Sequence, residues 1–119
     1  PKAVNQGVGY CPHQEILDLW TKHLPGKKGN NRNLWSKSDA SKKLKARWRE
    51  AAEIVHSSEP RMLYSNREEG LIWWSDFFEY ISKKCKFLMS DGSLFFNLGW
   101  LVESDNFIKT LNGNFEVLR

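Results

Sequence analysis

Side chains able to do chemistry are sparse in this chain, and most of them are unsupported. His13 follows Cys11 by two positions, and His23 and His56 stand apart from it. A zinc site built from Cys11, His13 and Cys85 lacks metal-ligand spacing. The plainer reading puts Cys11 in the core and His13 in a first helical turn. The acidic pairs Glu68-Glu69 and Asp76/Glu79 fall on one helical stretch. Acids at such spacing read as a solvated face, not as a nuclease centre. There is no P-loop, no Cys-x-x-Cys, no His-Glu-x-x-His and no Gly-x-Ser-x-Gly in the sequence. The expectation is therefore no catalytic residue, no metal, no cofactor, and a domain that is not an enzyme by itself.

The cations are organised differently. From Lys22 to Arg49 there are ten basic residues, Lys22, Lys27, Lys28, Arg32, Lys37, Lys42, Lys43, Lys45, Arg47 and Arg49, against one acid, Asp39. That stretch carries a net +9, whereas the rest holds 8 basic against 13 acidic residues, a net −5. An ordinary exposed helix mixes signs and gains ion pairs between residues three or four apart. A run without acids points instead to a polyanion. Lys27, Lys28 and Arg32 lie in a Gly/Asn-rich segment, 25–36, that reads as a loop. Such loops let backbone amides and long side chains reach phosphates. Ser36, Ser38 and Ser41 add hydroxyls near a helix start, where the helix dipole favours an anion.

The predicted interface is Lys27, Lys28, Arg32, Trp35, Lys37, Lys42, Lys43, Lys45, Arg47 and Arg49. Trp35 has two readings: a ring stacked on a base or ribose, or a loop anchor folded onto the core. The lysines are assigned to phosphates. Arg32, with Asn30, Asn31 and Asn33, is assigned to base edges, because Arg pairs with guanine and Asn with adenine in the major groove.

These residues need a scaffold, and apolar periodicity supplies one. Ile16, Trp20 and Leu24 recur at helical spacing, and Pro25-Gly26 stops that helix. A second helix starts at a Ser36 or Ser38 cap and runs to about Val55. In it, Leu44, Trp48, Ala51 and Val55 fall within about 60° of one another. Asn66 caps a third helix through about Lys84. One stripe on it is Leu71, Trp74, Phe78 and Ile81, and a second is Trp73, Phe77 and Tyr80. Apolar on two sides, it is expected to be central. Leu94 to Val102 fits a strand or a short helix, with the helix preferred, and a last helix runs from a Ser104 cap to Leu111, ended by Asn112-Gly113. The expected fold is mainly α, a compact bundle of about four to five helices with an aromatic-rich core. Residues 1–11 read as a flexible arm, 12–115 as one nucleic-acid-binding domain, and 116–119 as its end or a link onward.

Composition sets outer bounds. The chain has 119 residues, the size of one domain, and is 40% hydrophobic with six Trp and seven Phe, far too aromatic for a disordered tail. Its two cysteines read as reduced thiols, and the expected compartment is the cytoplasm of a bacterial host. No apolar run approaches the roughly 18 residues of a membrane span, and no signal peptide is evident. Pro1 fits either loss of an initiator Met or an excised fragment.

Several runs also occur in a recognisable order. They are Cys11-Pro12-His13-Gln14-Glu15-Ile16, then Ala46-Arg47-Trp48-Arg49-Glu50, then Trp73-Trp74-Ser75-Asp76-Phe77-Phe78-Glu79-Tyr80-Ile81. Phe87-Leu88-Met89, Leu98-Gly99-Trp100-Leu101-Val102 and Asn106-Phe107-Ile108-Lys109 follow. Over about residues 10–115 this resembles a domain of phage and prophage replication proteins, found with O-type initiators and replisome organisers. The resemblance implies a helical domain serving DNA replication, with DNA, or a replisome protein such as a helicase or its loader, as partner. It implies no catalytic residue. Three functions stay open: duplex DNA binding at an origin, which is favoured; single-strand binding on aromatic platforms; and docking of a helicase or loader with the basic stretch merely solvated.

Overall fold

The computed structural model describes residues 9–25, 35–53, 55–56, 59–60, 64, 66–90, 93 and 95–116. Helix α1, His13–His23, follows Pro12 and buries Ile16, Leu17 and Trp20. Lys22 and His23 lie in its last turn, where cations complement the helix dipole. Leu24 caps its end by donating its backbone N–H to the Trp20 carbonyl, and is itself fully buried. A 3-10 turn, Trp35–Lys37, leads into α2, Asp39–Glu53. Ser38 is the cap of α2: its Oγ accepts from the Ser41 backbone N–H at 3.2 Å and donates to the Trp35 carbonyl at 2.7 Å.

The inward face of α2 is Leu44, Trp48, Ala51 and Ala52. The helix stops at Glu53, short of Val55. Val55 instead pairs with Pro60, and His56 with Glu59, in a two-residue antiparallel ribbon. Continuing the apolar stripe to Val55 was therefore wrong.

Asn66 caps α3, Arg67–Lys84, by accepting the Glu69 backbone N–H at its Oδ1, 2.8 Å away. Glu68 and Glu69 occupy its first turn, and Lys83 and Lys84 its last. Trp74, Phe78 and Ile81 of the first stripe and Phe77 of the second are buried, so α3 does pack on two sides. Short helices α4, Lys86–Met89, and α5, Leu98–Leu101, follow. The last helix, α6, is Ser104–Leu111, with Glu103 rather than Ser104 at its cap. Gly113 then takes φ +83°, a left-handed conformation that L side chains rarely adopt, and closes the helix end.

The fold is mainly α, with six α-helices among the described residues around an aromatic core. Helix α1 packs chiefly on α3, and α2 on α5. At the centre, Trp20 meets Phe78 edge to face with centroids 5.4 Å apart, and Trp74 stacks on Phe107 at 5.6 Å. Such ring pairs add about 0.5–1.5 kcal/mol beyond their buried area. The first pair joins α1 to α3, and the second joins α3 to α6.

Candidate nucleic-acid interface

On α2 the positions three, four and seven apart share a face. Lys42, Lys45 and Arg49 follow that spacing, are exposed, and border a shallow depression of about 300 Å³ with Ala46 and Glu50. None of these cations has an ion-pair partner among the described residues. Lys37 is exposed at the end of the 3-10 turn, one turn ahead of α2.

The flanking cations are placed otherwise. Lys43 donates to Glu103 Oε2 at 2.6 Å, tying α2 to the start of α6. Both groups are about half exposed, so the pair is weak. Arg47 is only 7% exposed. Its Nη2 donates to Glu50 Oε2 at 3.2 Å, while Nε and Nη1 have no partner among the described residues. A guanidinium so enclosed cannot meet a phosphate without leaving its pocket, so Arg47 is withdrawn from the interface. Trp35 is withdrawn too. Its ring is 5% exposed and its Nε1 donates to His13 Nδ1 at 2.9 Å, so the loop-anchor reading describes it. Lys27, Lys28 and Arg32, with Asn30, Asn31 and Asn33, lie outside the described residues.

The site's electrostatics reach the start of α1. Burial pushes the Cys11 thiol up to about 12, outweighing the opposing pull of Lys45. Cys11 is therefore a thiol at neutral pH, the less nucleophilic form of the group. Burial, reinforced by the Lys45 charge, holds His13 below its ordinary value. A neutral imidazole is what the Trp35 hydrogen bond requires, because Nδ1 must accept. Burial likewise raises the Cys85 thiol. Among the described residues no group of His, Cys, Asp and Glu is placed to hold a metal ion. None of the described helices is long and apolar enough to cross a membrane.

Sequence reasoning overlooked a Ser–His contact. His23 Nε2 lies 2.8 Å from Ser75 Oγ, joining the end of α1 to the middle of α3. The distance suits a nucleophile and its base. However, no carboxylate among the described residues hydrogen-bonds His23, and nearby Glu79 is held by Lys83 at 2.7 Å. The pair serves as a polar link between two packed helices. Glu50 and Glu103, the acids that engage Arg47 and Lys43, were also overlooked. Glu50 follows Arg47 by three residues, a spacing visible in the sequence, whereas Glu103 is 60 positions from Lys43.

No protein-family model, curated protein or solved structure significantly matches this chain.

Proposed function

We propose that this chain is a duplex-DNA-binding module that grips the phosphate backbone through the exposed face of α2, in the replication of a phage or other mobile element. The observation that carries this reading is the row Lys42, Lys45 and Arg49, exposed on one face and unpaired among the described residues. Seven residues of helix rise roughly 10 Å. That equals the axial rise of about three base-pair steps of a duplex. The basic residues Lys27, Lys28 and Arg32 before α2 add further charge in sequence. Single-strand binding is less well supported, because it needs an open ring beside the cations and Trp35 is enclosed. The replication role rests on the ordered motifs alone.

The test is anisotropy with a labelled random duplex over a range of salt. Lys42→Ala, Lys45→Ala and Arg49→Ala should each weaken binding at every sequence and lower the salt slope by roughly one unit. Melting should stay unchanged, because these side chains lie off the core face. Full affinity in the triple variant would reject the proposal. An unlabelled single strand that competes better than duplex would reject the duplex preference.

A further inference from the structure

Away from α2, a cleft of about 300 Å³ opens between α3 and the segment after α6, lined by Trp73, Asp76, Phe77, Tyr80, Leu111 and Glu116. Its floor is a ladder of rings on one face of α3. Trp73 stacks on Phe77 with centroids 5.0 Å apart, and Phe77 on Tyr80 at 6.4 Å with their planes only 11° apart. Two carboxylates stand at its edge. Glu116 is fixed there by the Tyr80 hydroxyl, which donates to Oε2 at 2.6 Å. Asp76 is exposed and has no ion-pair or hydrogen-bond partner among the described residues. No basic side chain among the described residues lines the cleft.

Aromatic faces are electron-rich and attract cations, most strongly when water is partly excluded. Two carboxylates at the rim add charge of the same sign. The site therefore repels phosphate and favours a cation that tolerates desolvation. A guanidinium fits better than an ammonium, being planar, weakly hydrated and able to stack on a ring while donating to a carboxylate. The volume lies at the lower end of ligand pockets, which run from about 300 to 1,000 Å³. That suits a single long side chain and not a larger cofactor.

We propose that this cleft receives an arginine side chain from a basic peptide segment of a protein partner, with its stem and guanidinium against the Trp73–Phe77–Tyr80 ladder and its N–H groups toward Asp76 and Glu116. The partner is thus a protein with an exposed arginine-containing segment, and its site is chemically the inverse of the α2 face. The inference does not depend on DNA binding.

The experiment is an NMR titration of the full chain with capped tetra-arginine, following the Trp73 indole N–H, identified by its loss in Trp73→Phe. Capped tetra-glutamate and tetra-lysine serve as comparisons. The expected result is a saturable shift of that resonance with tetra-arginine, weaker binding of tetra-lysine and none of tetra-glutamate. Asp76→Asn, an exposed substitution whose folding is checked by melting, should weaken tetra-arginine roughly tenfold, as for loss of a charged hydrogen bond. An unmoved Trp73 resonance would overturn the proposal. So would equal affinity in Asp76→Asn, which would mean general attraction to an acidic surface. Tetra-lysine binding as tightly as tetra-arginine would overturn the guanidinium assignment.

Discussion

The Trp48 indole lies so close to Gly70 that a Cβ on residue 70 would sit 2.5 Å from its Cη2 and 2.7 Å from its Cζ3. The contact joins α2 to the first turn of α3 and needs a residue without a side chain. Elsewhere in a helix, Gly→Ala raises stability by roughly 0.5–1 kcal/mol. Here Gly70→Ala should have the opposite sign. The new methyl also meets Tyr64 Cδ1 at 3.0 Å, so the indole has little room to give. Overpacking of this kind costs about 1–3 kcal/mol. Urea denaturation decides the matter, and a stabilised Gly70→Ala would mean that Trp48 is free to move.

Tyr64 closes the same junction with a buried hydrogen-bond relay. Its hydroxyl donates to the Trp48 carbonyl at 2.7 Å and accepts from Trp74 Nε1 at 2.9 Å. Tyr64→Phe would strand the Trp74 indole N–H in the core, while the Trp48 carbonyl keeps its place in the α2 ladder. An unsatisfied buried polar group costs about 1–3 kcal/mol. Tyr64→Phe should therefore fall in that range, well above the effect expected from losing one exposed hydroxyl. Because Trp74→Phe removes the donor as well, the double variant should lose less than the sum of the two singles. Strict additivity in that cycle would show that the relay does not exist.

Much of this arrangement was legible from local pattern. The α3 cap at Asn66 and end at Lys84 follow from capping chemistry and periodicity, which act within a few residues. The end of α2 was not legible, because the ribbon that diverts Val55 depends on pairing with Pro60 across a turn. Arg47 was misread for a different reason. It lies about 40° from Ala51 around the helix, at the edge of the apolar stripe. Its charge nevertheless led to an exposed placement. The cleft beside Tyr80 could not be foreseen at all, since Glu116 lies 36 positions further along the chain.

Arg47 and Arg49 should accordingly behave as different residues despite their proximity. Arg47 is enclosed, and the carboxylate it meets, Glu50, is 56% exposed and would be solvated without it. Replacing a buried charge by an apolar side chain of similar length is often neutral or stabilising. Arg47→Met should leave stability within about 1 kcal/mol of the parent or raise it, and should leave the salt dependence of DNA binding unchanged. Arg49→Met should leave stability unchanged and reduce the salt slope. A loss above about 3 kcal/mol in Arg47→Met would mean that the guanidinium satisfies a partner the core needs.

His13 makes stability depend on pH in a direction set by its surroundings. Burial, and then the charge of Lys45, hold the folded-state value below the ordinary 6.5. Between the folded value and about 6.5 the unfolded chain binds more protons than the folded one. Stability from this group is therefore complete above pH 6.5 and falls as the pH drops toward the folded value. Protonation also converts Nδ1 from acceptor to donor, which breaks the bond from Trp35 Nε1. The Trp35 anchor, and with it the entry to α2, should loosen as the pH falls through the folded value. His13→Asn retains an acceptor near Nδ1 but does not titrate. Its stability should vary less with pH between about 5 and 7 than that of the parent, by urea midpoints at fixed ionic strength. Parallel pH curves for the two proteins would exclude His13 as the group responsible.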